Sequence, residues 1–454
     1  MHKCSWFVFL SLTLAFSLQG NAQEMDANPS VKKAFTSQKS DSASTRRKKH
    51  MDGLIKINDK EFNLEWYNSY SVLSPNLKHV MNVDNRRLEF PSGHFTSDLR
   101  PEMVLKSRFI KYVVRGRALL DSTSIELKNP DEKKNKSDTK LDLSDAYADL
   151  LLKSNLSLVF GLQNFQWGPT ELISPTNPFF HFNSQQKSFF YKEKGHVLLR
   201  VNYNATDNLN YIFISEPISN NDPYWISEKN FGSKLLLKSE YTFTGTNYLG
   251  LVIGLGEKQR PLFGEYFNWT TETGHSIYFD IKHSAGKYNF SPEKNLFGLY
   301  DMVFQDKTGS FQTFSTLGFR YEGRTDFRVE YIYNSAGLKA EEMKNAISAA
   351  TALSFNLAKN LTHFFAPGLE LLGQHYLYLS LRIPDLGSSN DINLSLRDLI
   401  SLQDSSQVFQ FDFDKGLTDS TVMYAEATYA AGSEKTELTI SNIYSFSLGL
   451  KWTL

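Results

Sequence analysis

Cysteine is almost missing from this chain. The only one, Cys4, lies at the extreme N-terminus. Without it there is no disulfide, no cysteine-bound zinc, no iron–sulfur cluster and no thiol nucleophile. An excess of either charge is missing too: 49 Lys and Arg face 49 Asp and Glu. A nucleic-acid partner normally demands a basic surplus, so none is expected. No run of about 20 apolar residues occurs, which excludes spanning helices. Gly-rich phosphate loops, HExxH and G-x-S-x-G are also lacking. His363 and His375 stand apart, without metal spacing. The chain therefore reads as a non-enzyme with no metal and no cofactor.

What is abundant is aromatic and alternating. Phe, Tyr and Trp make up 14% of the 454 residues, while mean hydropathy stays at −0.37. Many aromatics without a helical span is the bulk signature of a membrane β-barrel.

The N-terminus reads as an export signal. His2 and Lys3 precede an apolar run from Trp6 to Leu18, too short to span a bilayer. Gly20 and Ala22 put small residues at the −3 and −1 positions of a cleavage site after Ala22. Residues 1–22 are thus expected to be a signal peptide. Residues 23–60 follow as a polar lead-in with the basic run Arg46-Arg47-Lys48-Lys49. Its composition suits a flexible periplasmic segment; contact of the basic run with anionic lipid or lipopolysaccharide phosphates is the alternative.

From residue 61 to 454 the period becomes two. Leu156, Leu158, Phe160 and Leu162 alternate with Ser157, Val159, Gly161 and Gln163. The same holds for Ile277–Ile281, Leu317–Tyr321, Phe327–Tyr333, Leu377–Leu381 and Phe409–Phe413. The final strand is clearest, with Tyr444, Phe446, Leu448, Leu450, Trp452 and Leu454 on one face. The second face carries many charges, which suits a wet interior and a lipid-facing exterior. The expected fold is all-β: a transmembrane antiparallel β-barrel of about 16–18 strands, with short periplasmic turns and long extracellular loops. Short turns are read at 153–155, 204–208, 245–247, 322–325 and 415–419. Long connections are read at 74–99, 121–141, 164–195, 217–230, 256–272, 335–372 and 431–436, with 284–310 unassigned. Within 339–360, Met343, Ile347, Ala350, Leu353 and Leu357 recur at helical spacing and predict an amphipathic helix in a loop.

Parity places Arg115, Arg117, Tyr147, Arg200, Arg320, Arg328, Tyr376 and Arg382 on the lumen face. Most such charges are expected to pair across strands. Tyr376, Tyr378 and Tyr147 offer flat surfaces that either stack on sugars or fill space.

The densest sequence is 145–200. Asp145-Ala146-Tyr147-Ala148-Asp149 opens a strand. Gly161-Leu162-Gln163-Asn164-Phe165-Gln166-Trp167-Gly168-Pro169 closes the next, and Asn177-Pro178 follows. Three prolines stiffen the connection. Gln163, Gln166, Trp167, Glu171, His181, Gln185 and Lys187 are the candidate constriction or solute-binding residues, with Trp167 alternatively an anchor at headgroup level.

This segment resembles porin-like outer-membrane families, including the alginate-export type, in its "AYxD", "GxQ…WG" and "NP" elements. It is more weakly similar, through "WGP", to the capsule-assembly lectin barrels. Gly449, Trp452 and Leu454 resemble the C-terminal assembly signal of Gram-negative outer-membrane barrels. These resemblances imply an outer membrane of a Gram-negative bacterium, with its lipid and lipopolysaccharide and the barrel-assembly machinery as partners. In general porins the loop at this place folds into the lumen. The expected function is passive passage of a hydrophilic solute, with binding of a surface polysaccharide as the alternative.

Overall fold

The computed structural model describes residues 59–454 apart from 80–81, 87–88, 129–131, 180–194, 218–233, 256–259, 295–299, 352–370, 388–390 and 441. The signal peptide and nearly all of the lead-in therefore lie outside the described residues. So do His181, Gln185, Lys187 and His363.

Eighteen strands form one antiparallel sheet. They are β1 (Asp59–Pro75), β2 (Gly93–Lys106), β3 (Ile110–Leu127), β4 (Glu132–Lys153), β5 (Leu156–Gln163), β6 (His196–Asn204), β7 (Leu209–Ser215), β8 (Leu235–Thr244) and β9 (Asn247–Leu255). The second half comprises β10 (Pro261–Thr270), β11 (His275–Lys294), β12 (Tyr300–Glu322), β13 (Asp326–Asn334), β14 (His375–Leu386), β15 (Ile392–Ser401), β16 (Gln407–Thr418), β17 (Thr421–Ala431) and β18 (Asn442–Thr453). Each pairs with its neighbours in sequence, and β1 also pairs with β18. The sheet is therefore closed, which removes every free edge. The class is a transmembrane β-barrel.

Alternation decides the two faces. Phe62, Tyr70, Phe160, Ile253, Trp269, Ile277, Leu317, Phe446 and Leu448 are exposed on the outside. Their strand neighbours Tyr67, Val159, Val252, Tyr278 and Thr316 are buried inside. In water such an exterior would aggregate; in lipid it is the stable choice.

The last strand carries the closure. Leu64 N–H donates to Leu454 O at 3.1 Å and Leu454 N–H returns to Leu64 O at 2.9 Å. Trp452 pairs with Trp66, their ring centroids 5.3 Å apart. Gly449 has a steric role: the Tyr424 ring of the neighbouring strand lies where its side chain would be.

The rims depart from the sequence expectation in three places. Residues 93–99, expected within the long connection 74–99, are the start of β2. Residues 261–270, expected within a long connection, form β10. Residues 121–141, expected as a loop, are the paired upper ends of β3 and β4. With 18 and 22 residues these strands exceed the roughly 9–11 needed to cross a bilayer, so they continue above it as a hairpin. The backbones of β11 and β12 do the same and account for 284–310. The helix in the long loop is α1 (Ala340–Thr351). Glu342 Oε2 accepts the Lys339 N–H at 2.8 Å at its start. Met343, Ala346 and Ile347 are buried, and the helix packs on β11 and β12. Leu353 and Leu357 lie outside the described residues.

Deleting Trp452–Leu454 removes the pairing with both β1 and β17. The truncated chain is expected not to insert and not to show heat-modifiable migration in gels.

Candidate functional site

The connection after β5 turns inward. Asp145 Oδ1 accepts the Asn164 N–H at 2.9 Å, fixing the exit from the strand. Gln163, the last strand residue, is buried, and its Nε2 donates to Leu198 O at 3.1 Å. Gln166 is half-buried and Trp167 is buried inside the barrel, 5.4 Å from the Phe165 ring and 6.2 Å from Phe179. This placement rules out the headgroup-anchor reading of Trp167. Its indole Nε1 donates to Thr176 Oγ1 at 3.2 Å. Gly168 has φ +97°, and an added Cβ would collide with Ser174 Oγ and Asp280 Oδ2, so only glycine makes this bend.

Residues 164–179 then run along the inner wall, held at successive strands. Phe165, Trp167 and Phe179 pack on Leu198, Ile212, Ile214, Leu236, Val252, Leu262 and Tyr266 of β6 to β10. Asp280 on β11 accepts the Thr176 N–H at 2.8 Å and lies 2.6 Å from Ser174 Oγ and 3.2 Å from Thr176 Oγ1. Thr316 on β12 donates to Ile173 O at 3.3 Å. Glu330 on β13 accepts the N–H groups of Glu171 and Leu172 at 2.6 and 3.1 Å, and the Tyr278 hydroxyl at 2.9 Å.

Glu171 ends the series. Its carboxylate receives Tyr378 OH at 2.8 Å and Ser380 Oγ at 3.1 Å. It pairs with Arg328 at 3.1 Å and Arg382 at 3.1 Å. Burial pushes this carboxyl upward, but Arg328, Arg382 and Arg397 outweigh that and hold it well below the usual carboxylate range. It is a buried, permanently charged anchor.

Two carboxylates on the wall thus grip loop N–H groups, while one carboxylate on the loop grips wall guanidiniums. Leu172 and Ile173 join Ile332, Leu371, Tyr376, Tyr378, Leu399 and Leu438 in an apolar cluster that fills the space beside β12 to β15. Tyr376 and Tyr378 face the interior but are fully buried. They space-fill and hydrogen-bond, and their rings are not available as sugar-stacking platforms.

The opposite wall, from β15 through β18 to β4, carries paired charges. Arg397 meets Asp412 at 2.7 Å. Arg100 and Arg117 share Asp98, each at 2.8 Å. Arg115 meets Glu102 at 2.7 Å and Asp145 at 3.4 Å, and Lys451 meets Glu65 at 2.7 Å. Tyr147 lies half-buried in the same inward row as Asp145. Arg115, Arg117, Glu102 and Glu65 keep 34, 22, 29 and 25% of their side-chain surface exposed, so the part of this wall formed by β1 to β4 is partly wetted, while Arg397 and Asp412 on β15 and β16 are buried. Arg200 stacks over Phe165 at 3.9 Å, and Arg320 pairs with Asp326 at 2.9 Å.

Sequence reasoning named Glu171 and Arg328 but not what joins them. Asp280 and Glu330 lie on the polar face of the alternating segments Ile277–Ile281 and Phe327–Tyr333, where nothing local marks them as anchors of a loop. Glu437 was missed entirely; it lies in a single 3-10 turn (Glu437–Thr439) above the barrel. Its carboxylate accepts the Leu372 N–H at 2.8 Å and Tyr376 OH at 2.5 Å, while its own N–H donates to Asp404 Oδ2 at 2.7 Å. Asn76 Nδ2 donates to Thr439 O at 2.8 Å. Three long connections and the short β15–β16 turn are thereby clasped together over one side of the mouth.

No family model matches the chain, and no curated protein matches it. Among solved structures, the outer membrane protein OprD from Pseudomonas aeruginosa is similar at 9% identity and a TM-score of 0.50, covering 88% of this chain and 94% of that one. OccAB1 of Acinetobacter baumannii is similar at 9% identity and a TM-score of 0.50, covering 88% and 97%. At this identity the likeness is one of fold: a closed 18-stranded barrel.

Burial raises the Glu437 carboxyl from 4.5 to about 7, against the opposing pull of Tyr376 and the Leu372 and Gly373 N–H groups. A raised carboxyl binds its proton more tightly in the folded clasp, so the clasp weakens as pH rises from about 4.5 to about 7 and levels off above. Protection of Leu372 and Gly373 against hydrogen exchange, taken relative to the intrinsic base-catalysed rate, is expected to fall across that window. In Glu437→Gln that fall in protection should be lost.

Proposed function

We propose that this barrel is an outer-membrane channel for passive passage of a small hydrophilic solute, and that the segment after β5 sets its narrowest point. The observation that carries the reading is the position of Glu171. It begins in the connection after β5 yet is bound to β13 and β14, eight and nine strands along the wall. The loop occupies the lumen as an arc and leaves a lane along the charged wall of β15 to β4. A constriction needs a backbone that does not drift, and three prolines and the two wall carboxylates supply that restraint. Gln163, Gln166, Trp167 and Glu171 are proposed to belong to it, and His181, Gln185 and Lys187, outside the described residues, are proposed as further constriction or solute-binding residues. Gly449, Trp452 and Leu454 are proposed to serve the barrel-assembly machinery. The similar OprD is an outer membrane protein, which supports the same location for this chain.

The polysaccharide-binding alternative finds no supporting observation. Of the three tyrosines that would stack on sugar rings, Tyr376 and Tyr378 are fully buried and Tyr147 is half-buried on the inner wall, and the charged wall faces inward.

Planar-bilayer recording tests the proposal. The purified protein should conduct ions. Glu171→Gln removes one negative charge beside the lane and leaves Arg382 without its paired carboxylate and Arg328 with Asp326 alone, so permeability should shift toward anions by roughly 2-fold or more in a salt gradient. Absence of conductance would remove the channel reading. Conductance with an unmoved reversal potential would remove the loop from the constriction.

A further inference from the structure

The guanidiniums Arg397, Arg100, Arg117 and Arg115 on the inner wall each meet a carboxylate. Arg200 on β6 departs from that pattern. The ring of Phe165 lies over its guanidinium at 3.9 Å. Its Nε is buried and has no hydrogen-bond partner. Among the described residues, no hydrogen bond or ion pair reaches the rest of the guanidinium either. Two strands away stands Asp149. It lies across the ladder from Val159, which lies across from Arg200. Val159 is fully buried on the inner wall, so both of its cross-strand neighbours face inward too. The Cα atoms of Asp149 and Arg200 are therefore about 10 Å apart, twice the strand spacing. The charge of Asp149 is felt at Arg200, yet no ion pair joins them. Lys111, directly across from Asp149 on β3, is exposed and makes no ion pair with it. Tyr147 is the next inward residue of β4, and its hydroxyl has no partner among the described residues.

The position of this group relates it to the loop. Asp149 lies four residues before the end of β4 and Arg200 four before the end of β6, both next to short turns. Phe165, where the inward segment begins, covers them from the side of the long connections. A guanidinium and a carboxylate held apart in a half-buried wall are costly unless something satisfies both. A simple anion would be drawn to Arg200 and repelled by Asp149. A simple cation would be drawn to Asp149 and repelled by Arg200 and Lys111. A solute with both charges a few ångströms apart spans the gap. Its carboxylate takes paired N–H groups of the guanidinium, and its ammonium donates to Asp149.

We propose that Arg200, Asp149 and Tyr147 form a solute subsite just past the constriction, selective for small zwitterions of the α-amino-acid type. The subsite rests on the channel reading and adds to it the class of solute.

Four labelled solutes of nearly equal size test it by uptake into proteoliposomes. Alanine carries both charges, lactate lacks the ammonium, alaninamide lacks the carboxylate and lactamide lacks both. Alanine should enter roughly 3-fold or more faster than each of the others, since only it satisfies both wall groups. Arg200→Gln should abolish its advantage over alaninamide, and Asp149→Asn its advantage over lactate. Potassium chloride conductance shows that each variant has formed an open barrel, and the comparison of solutes in the unaltered protein stands without the variants. Alanine no faster than lactamide, lactate fastest of the four, or an advantage that survives both substitutions would each overturn the subsite. The conductance also separates the two failures. A conducting barrel with no preference for alanine overturns the subsite alone, whereas a silent barrel overturns the channel reading beneath it.

Discussion

One ion-pair cluster holds the interior together. Glu171 leaves the connection after β5 and ends between Arg328 and Arg382, with Tyr378 and Ser380 completing its hydrogen bonds. Breaking a buried pair of this kind by removing one partner typically costs about 3–5 kcal/mol, because the survivor is stranded. Here it would take the paired carboxylate from Arg382 and leave Arg328 with Asp326 alone, at 3.3 Å. The position of residues 164–179, the apolar filling behind them and the shape of the remaining lane all depend on that contact.

Closure of the sheet makes the contact possible. A closed barrel satisfies every backbone donor and acceptor of its wall, so the side chains inside are free to bind something other than their own strands. On β11 and β13 that freedom is spent on loop amides. On β1 to β4 and β18 it is spent on cross-strand pairs that stay partly wet. The same barrel therefore has a packed half and a solvated half, and the difference originates in which wall the inward loop reaches.

The barrel was legible in the sequence because lipid and lumen impose alternation residue by residue. The closing strand, the short turns and the fifth-strand loop could be read from neighbours alone. β10 escaped because Glu265 interrupts its outward row of Phe263, Phe267 and Trp269, so the apolar alternation looked broken. The upper parts of β3 and β4 escaped because lipid no longer selects apolar side chains above the membrane. The partners of Glu171 escaped for a different reason: 157 positions separate it from Arg328, and no local pattern encodes a contact across the interior. Glu437 is a lone carboxylate in a polar loop, and only its burial distinguishes it.

If the loop is a fixed wall element rather than a moving gate, locking it in place changes nothing. Thr176 packs directly against Gly264, its Cβ 3.2 Å from the position of an added Cβ. Single-channel recording of Thr176→Cys/Gly264→Cys, before and after reduction, is the most direct test. The account predicts that a mild added oxidant joins the two thiols in the folded barrel and that conductance is the same in both states. A channel that fails to form the bond, or that opens further on reduction, would contradict it.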